Sequence, residues 1–213
     1  MSIPGILYQG LGTLLYERFA LPPVAALHQA AALLLAERLP PRTRVVDIGC
    51  GPGELLVRLG ALRDDLDLIG IDPVRRAIAR SRRRVRAAGV RARLVREGVD
   101  GLVHAVGRFG CAVAIGSIKH WPDPAAGLLA VAGAMAPGGK LYIWELDPGG
   151  AARMEDVNGT YAQVSRRVLA QCLLPSSLPR VAMRDLIVGA GLVVEDEGVV
   201  AGMPFYWFIA RHG

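Results

Sequence analysis

Three glycines and two acids are the residues in this chain best suited to hold a ligand. Gly49, Gly51 and Gly53 follow an apolar run that contains Asp47, in the stretch "VVDIGCGPGELL". Glycine adopts positive φ at little cost and lets a ligand come close to the backbone. Asp72, in "LIGIDP", lies about 20 residues further on, the spacing at which an acid at the next strand tip holds a ribose. The pattern predicts a site for a nucleoside-containing ligand, the alternative being a glycine turn without one.

The glycine spacing argues against a phosphate in that ligand. A dinucleotide-binding turn reads G-x-G-x-x-G, and Glu54 stands here where its third glycine is expected. An acid beside a pyrophosphate would be repulsive, and no G-K-[ST] sequence follows the loop. A ligand with ribose and adenine but no phosphate fits the loop better.

The segments around this loop alternate between the hydrophobic pattern of a strand and that of a helix. Short apolar or β-branched runs alternate with helical segments, which is typical of an α/β doubly wound, mostly parallel sheet. The last two runs are expected to pair as an antiparallel hairpin at one edge. The predicted strands cover 44–48, 66–72, 91–97, 111–116, 140–146, 192–200 and 204–210, and the predicted helices 24–39, 54–62, 74–88, 99–106 and 123–135.

Composition narrows the class of protein. The 213 residues fit one domain, and the hydrophobic fraction of 52% allows a sizeable core. Three cysteines, odd in number and without a CxxC pair, argue against a disulfide framework or a zinc site. The start "MSIPGILYQG" lacks the basic region of a signal peptide, and no apolar run reaches the ~18 residues of a spanning helix. The expected location is the cytoplasm, with no bound metal.

Several motifs together resemble one family. "VVDIGCGPG", "LIGIDP" and "IGSIKHWPDPAAGLLAVAGAMAPGGKLYIWELDP" look like a class I S-adenosylmethionine-dependent methyltransferase, nearest to the small-molecule branch with the quinone-biosynthesis methyltransferases. The resemblance covers about residues 40–147, and 181–211 more loosely. It implies a seven-stranded Rossmann-like sheet with an antiparallel last strand, and S-adenosyl-L-methionine as cofactor. It also implies methyl transfer by in-line displacement to a small molecule. The low charge between Val168 and Leu178 suggests that this acceptor is apolar, or that the segment forms a buried contact.

The resemblance also implies roles for the loop residues. Asp47 would orient the methionine end of the cofactor through its ammonium group. Gly49 and Gly51 would leave room for the nucleoside, and Asp72 would accept hydrogen bonds from both ribose hydroxyls.

Two further pairs of cofactor residues follow from the resemblance. Gly116 and Ser117, after the fourth strand, should lie under the methionine and sulfonium. Where the family has Gly-Asp after the third strand, this chain reads Gly98-Val99-Asp100. Either Asp100 then reaches the adenine amino group, or backbone groups near Val99 hold the adenine alone.

His120 is the candidate general base, which the reaction needs only if the acceptor must lose a proton. The alternative is that His120 packs the loop and helps to close the cofactor pocket. Lys119 could steer an anionic substrate or be an exposed loop residue. Trp121 could stack on a substrate or pack against the following helix.

The chain is expected to be a single methyltransferase domain, 1–213. Its predicted parts are an N-terminal lid with helices (1–39), the cofactor-binding core (40–147), a substrate-side insert (148–180), and a last helix with the edge hairpin (181–213).

Substrate contacts are expected from the two parts outside the core. Tyr8 and Tyr16 lie in the apolar segment ahead of the first strand, and Tyr161 lies in the insert. We therefore expect these tyrosines to contact a small-molecule substrate.

Ten arginines crowd the second helix and the third strand of the core. Seven lie between 75 and 86 and three between 91 and 96, and the net charge is +6. They fall on several helix faces without interleaved aromatic residues, which favours a solvated helix over a nucleic-acid surface. Peripheral contact with an anionic membrane is the alternative, and it would make the protein a lipid or quinone methyltransferase. A non-catalytic cofactor-binding protein of the same fold is the other alternative, and the sequence leaves the oligomeric state open.

Overall fold

Seven strands alternate with six α-helices along residues 21–150 and 177–213, the part of the chain that the computed structural model describes. The strands are β1 (Arg44–Ile48), β2 (Asp67–Ile71), β3 (Arg93–Val95), β4 (Phe109–Ile115), β5 (Met135–Leu146), β6 (Leu192–Val199) and β7 (Phe205–His212). The helices are α1 (Leu21–Arg38), α2 (Glu54–Leu62), α3 (Arg75–Ala87), α4 (Leu102–Val106), α5 (Pro124–Ala134) and α6 (Arg180–Gly189), with 3-10 turns at Val99–Gly101 and Ile118–His120.

The strands form one sheet in the order β3-β2-β1-β4-β5-β7-β6. Strands β1 to β5 pair in parallel, whereas β7 runs antiparallel to both β5 and β6. The predicted fold class and the antiparallel edge hairpin are confirmed. β1 is followed by β2 on one side, while β4 lies on its other side, so the winding direction reverses between the tips of β1 and β4. Ligands bind at such a point in open parallel sheets.

Two strands differ in length from the prediction. β3 has only three residues, because it is the outer strand and its Arg93 is exposed. β5 begins five residues early, at Met135, which pairs with Phe109. The next pair joins Cys111 to Lys140, so the turn "APGG" is an irregularity inside a longer strand.

The core has two layers, one on each face of the sheet. Side chains alternate between faces along each strand, so Val45 and Val46 belong to different layers. Helices α1, α2 and α3 cover the face that carries Val45, and α4, α5 and α6 cover the other. Among the described helices, none is long and apolar enough to cross a membrane.

Candidate active site

The three glycines after β1 have three different roles. Gly49 has φ +76°, and a Cβ there would lie 2.5 Å from the Cβ of Ser117, so only glycine fits. Gly51 has φ +51° and open space where its side chain would be, as expected of a residue that faces a ligand. A Cβ on Gly53 would overlap the hydroxyl of Ser81, so this glycine lets α2 begin against α3.

Asp72 stands across from the glycine loop, at the tip of β2. Its Oδ2 accepts the N–H of Gly51 at 3.0 Å, and its Oδ1 accepts the N–H of Val74 at 2.8 Å. Burial raises the pKa of this carboxyl, and the two N–H bonds oppose the rise. Each oxygen keeps a second lone pair, so the carboxylate can still accept bonds from two hydroxyl groups.

Asp47 is the one buried acid beside the loop that lacks a hydrogen-bond partner for its carboxylate within the described residues. It is only 3% exposed. Burial, and then the nearby Asp72 carboxylate, raise the pKa of Asp47 to about 7. A buried carboxylate without a partner is costly unless a cation joins it. The ammonium of a methionine group would supply that cation, so the residues present fit the expected cofactor.

Gly116 and Ser117 tie three strand tips together. The Ser117 hydroxyl donates to the carbonyl of Ile48 at 2.6 Å, and the Gly116 N–H donates to the carbonyl of Trp144 at 2.7 Å. Because Ser117 also packs beneath Gly49, these residues form the floor below the loop. Their contact with a cofactor stays a prediction.

Val99 and Asp100, the candidates for the adenine, lie in different surroundings. Val99 is buried, and a Cβ on Gly127 of α5 would lie 3.0 Å from one of its methyl groups. Asp100 is exposed, and its carboxylate folds back over Gly98. The structure therefore offers Val99 as an apolar wall and leaves the role of Asp100 a prediction.

Of the four candidate substrate residues other than Lys119, the structure describes only Trp121. The indole of Trp121 lies against Gly127, where a Cβ would overlap the ring, so Trp121 packs on α5. This contact supports the packing alternative for Trp121. Tyr8, Tyr16 and Tyr161 lie outside the described residues, as do residues 1–20 of the predicted N-terminal lid region (1–39) and most of the insert.

Lys119 and His120 lie on the 3-10 turn after β4. Lys119 is half-buried rather than an exposed loop residue; burial lowers its pKa, and the Glu145 carboxylate opposes this. His120 is exposed, and desolvation by its surroundings together with the Lys119 cation lowers its pKa to about 4. The imidazole is therefore neutral at pH 7 and able to accept a proton, although it is a weak base.

Glu145 is a site residue that the sequence reasoning missed. It lies near the end of β5, is 1% exposed, and accepts the N–H of Ile118 through Oε1 at 2.6 Å. Its Oε2 is buried without a hydrogen-bond partner in the described part of the chain. Burial raises the pKa of Glu145, while Lys119 and the Ile118 N–H lower it. The lone acid inside the apolar strand "LYIWEL" was the signal that could have found this residue.

Glu54 is paired with two arginines. Its carboxylate forms ion pairs with Arg58, at 2.7 Å, and with Arg84 of α3. The sequence argument that Glu54 itself repels a phosphate is therefore wrong, because two arginines neutralise its charge. The expectation that the site disfavours a pyrophosphate then rests on Asp47, which is buried beside the same loop.

The arginines of α3 and β3 are all exposed, as expected for a solvated helix. Several bond to backbone carbonyls: Arg82 to Leu94, Arg91 to Asp64 and Arg93 to Ala105. These bonds give part of the cluster a structural role. The arginines concerned are Arg75, Arg76, Arg80, Arg82, Arg83, Arg84, Arg86, Arg91, Arg93 and Arg96.

A cleft of about 420 Å³ lies at the opposite end of the sheet, near the amino ends of the strands. Thr43, Gly110 and Lys140 are among its lining residues. It contains none of the predicted site residues, and parallel sheets bind ligands at the other end. We therefore assign the cleft no part in the site.

Comparison with known proteins places this site in a family. A methyltransferase domain family matches residues 17–196. The chain is 31% identical to a ubiquinone biosynthesis O-methyltransferase of Xanthomonas axonopodis pv. citri (strain 306) over 130 residues, which are 59% of this chain and 52% of that protein. It is 33% identical to a 27-O-demethylrifamycin SV methyltransferase of Amycolatopsis mediterranei (strain S699) over 126 residues, 56% of this chain and 46% of that protein.

Solved structures agree on the fold. The plantazolicin methyltransferase BpumL, solved in complex with SAH (S-adenosylhomocysteine), superposes with a TM-score of 0.78 at 11% identity, covering 99% of this chain and 94% of that one. The matched segments span about half the length of the two curated relatives. The family match, in contrast, covers most of this chain, from the end of the N-terminal segment into β6. This chain therefore belongs to the methyltransferase domain family.

Proposed function

We propose that this protein is an S-adenosylmethionine-dependent methyltransferase whose acceptor is a small, apolar molecule. The observation that carries the proposal is the buried carboxylate of Asp47, without a hydrogen-bond partner at the point where the sheet reverses its winding. Asp72 stands opposite with two acceptor oxygens. Family membership and two relatives named as methyltransferases of small molecules support the proposal.

Each site residue has a role in holding the cofactor. Asp47 pairs with the ammonium of the methionine end, and Asp72 accepts the two ribose hydroxyls. Gly51 leaves the space between them open, since nothing lies within 4 Å of where its Cβ would be. One carboxylate at the methionine group and one at the ribose together fix the position of the ligand along the strand tips.

When bound, S-adenosylmethionine supplies a methyl group on a positive sulfur, and the carbon–sulfur bond breaks towards sulfur as an acceptor lone pair bonds to the carbon. The protein contributes chiefly by aligning the two groups at near-attack distance. An acceptor that carries a proton releases it to water or to His120, which is neutral at pH 7.

The same geometry selects against a dinucleotide. A pyrophosphate at this loop would lie beside Asp47, whose buried charge repels it at short range. S-adenosylhomocysteine, the demethylated product, carries no phosphate and keeps the ammonium and the ribose. It should therefore bind where NAD does not.

Calorimetry with S-adenosylhomocysteine and NAD tests the proposal. Asp72→Ala should lower affinity for S-adenosylhomocysteine by on the order of 2–4 kcal/mol, because two charge-assisted hydrogen bonds are lost. Asp64→Asn is the matched control, since Asp64 is an exposed acid just before the same strand. It should leave the affinity unchanged.

Binding of NAD without binding of S-adenosylhomocysteine would overturn the proposal. Equal affinities of Asp72→Ala and wild type would show that Asp72 does not hold the ribose. Mass spectrometry of the purified protein adds an independent reading, because a tightly held cofactor or acceptor co-purifies with it.

A further inference from the structure

Three apolar side chains form a row on the face of the sheet that carries Asp47. Register partners on adjacent strands project to the same face, as do residues two apart on one strand. Asp47 pairs with Val113, so Ile115 lies on the same face. Ile115 pairs with Trp144. Trp144 in turn pairs with Trp207, which places the row Ile115–Trp144–Trp207 across β4, β5 and β7.

The indoles in this row are held in place by their neighbours. The ring of Trp144 stacks on that of Tyr142, with centroids 6.2 Å apart and planes 12° apart. The ring of Trp207 lies over Gly198 of β6, where a Cβ would be 2.8 Å from the indole. Ile115 and Trp207 are half-buried, while Trp144 is 7% exposed. Flat, supported rings of this kind resist reorientation.

The row lies beside Asp47, where the methionine end of the proposed cofactor would bind. The proposed cofactor runs from Asp72 on β2 to Asp47 on β1, and the sheet continues in the same direction to β4, β5 and β7. Strands lie about 4.8 Å apart, and same-face residues about 6.6 Å apart along a strand. The Cα of Ile115 is therefore about 8 Å from that of Asp47, and the Cα of Trp144 about 12 Å. The reactive end of the cofactor and the row can contact one acceptor together.

We propose that the acceptor is a planar aromatic or heteroaromatic compound whose ring packs on the half-buried Trp207 and Ile115, with the buried Trp144 between them supporting both. Indole rings favour offset stacking or edge-to-face packing with planar rings, an attraction beyond the burial of area. The row carries no charged side chain that could hold an anionic or strongly polar acceptor. This inference rests on the proposed methyl transfer and names its substrate class.

Two probes of equal carbon skeleton test the inference. Calorimetry on the protein loaded with S-adenosylhomocysteine compares naphthalene-2,3-diol, which is planar, with its saturated counterpart decahydronaphthalene-2,3-diol. We expect the planar diol to bind about tenfold more tightly, corresponding to 1.4 kcal/mol. No binding of either diol, or equal binding of both, would overturn the inference.

Substitutions of the two tryptophans then test where the ring of the planar diol binds. Trp144→Leu and Trp207→Leu should each weaken binding of the planar diol at least about fivefold, and Trp144→Phe should restore most of it. Phe208→Leu is the matched control, because Phe208 is a buried aromatic on the same strand as Trp207 but on the opposite face.

The titrations distinguish a refutation of the proposed function from a refutation of this inference. Each variant is first titrated with S-adenosylhomocysteine, and retained affinity within about twofold shows that the cofactor site is intact. If the wild-type protein does not bind S-adenosylhomocysteine, the proposed methyl transfer itself is refuted. Intact cofactor binding with unchanged diol affinity in both leucine variants refutes only the aromatic acceptor.

Discussion

At the scale of single residues, two of the three buried acids at the carboxyl edge of the sheet, Asp47 and Glu145, differ in their hydrogen bonding. Asp47 has no hydrogen-bond partner in the described chain, whereas Glu145 bonds the N–H of Ile118. A carboxylate that bonds a backbone N–H stabilises a loop, while one without a partner is available for a ligand. We therefore assign Asp47 to binding and Glu145 to positioning of the turn that carries Ser117.

Ligand binding at Asp47 should depend on pH. Its pKa is raised to about 7 in the ligand-free protein, and a bound ammonium requires the ionised carboxylate. Binding then releases a proton, so affinity for S-adenosylhomocysteine should fall as pH is lowered, by roughly tenfold between pH 7.5 and pH 6. Calorimetry in two buffers of different ionisation enthalpy measures the released proton.

Asp47→Asn is the variant that checks this linkage. It should lower the affinity and remove its slope between pH 6 and pH 7.5. A folded-state pKa above the unfolded value costs stability as pH rises towards about 7, so the variant should also raise the Tm of the ligand-free protein at pH 8. An unchanged slope in the variant would show that another group titrates.

Glu145 should stabilise the fold through its acceptor oxygen rather than its charge. Glu145→Gln keeps an oxygen that can accept the Ile118 N–H, and Glu145→Leu does not. We expect the leucine variant to be less stable than the glutamine variant by about 1–3 kcal/mol, the cost of a buried N–H without an acceptor. Urea unfolding measures the difference, and equal stabilities would contradict the positioning role.

At the scale of elements, the loop between β1 and α2 joins three neighbours at once. Gly49 packs on the turn after β4, Gly53 packs on α3, and Gly51 donates its N–H to Asp72 at the tip of β2. The loop conformation is therefore set by elements on both sides of the reversal. Only Gly51 has free space in front of it.

Alanine substitutions should separate these roles. Gly49→Ala places a Cβ on Ser117 as well as at positive φ, so it should destabilise the fold by more than the ~1 kcal/mol expected of backbone strain alone. Gly51→Ala adds only the strain, yet it should weaken binding of S-adenosylhomocysteine about tenfold or more by filling the ligand space. Thermal unfolding and calorimetry measure the two effects.

Gly89 supplies the control for backbone strain. It has φ +66° and open space around it, at the end of α3 away from the site. Gly89→Ala should cost as much stability as Gly51→Ala and leave ligand affinity unchanged. If both variants bind equally well, Gly51 does not face the ligand.

At the scale of the whole molecule, positive charge is concentrated on α3 while the site is acidic. The net charge is +6, and Arg76, Arg83 and Arg86 lie exposed on this helix. Glu54 neutralises Arg84, which ties α3 to the first turn of α2. The fold thus uses part of the arginine cluster to hold two helices together.

Replacing Arg76, Arg83 and Arg86 together with Gln should leave the fold and the site intact. The net charge falls from +6 to +3, since three positive side chains become neutral. We expect affinity for S-adenosylhomocysteine within about twofold of wild type, because no hydrogen bond or ion pair joins any of the three to Asp47, Asp72 or the glycine loop in the described part of the chain. Neither protein should co-sediment with phosphatidylserine vesicles at 0.1 M salt. Sedimentation of the wild type alone would favour a lipid acceptor at a membrane surface.

The sequence by itself determined the order of elements, the glycine loop and the pairing of that loop with Asp72. These depend on local periodicity, on glycine backbone chemistry and on a short spacing, all readable from neighbouring residues. The strand and helix bounds consequently agree with prediction to within a few residues, apart from the short β3 and the early start of β5.

Only the tertiary structure decided which side chains meet. Periodicity shows that Ile115 and Trp144 each point to one face, but strand register makes them neighbours of each other and of Trp207. In the same way, Glu54 meets Arg84 thirty positions away in the chain, and Glu145 lies beneath the turn of Ile118. Such contacts join residues far apart in sequence, and no local pattern encodes them, because they depend on how the sheet is ordered and how helices pack on it.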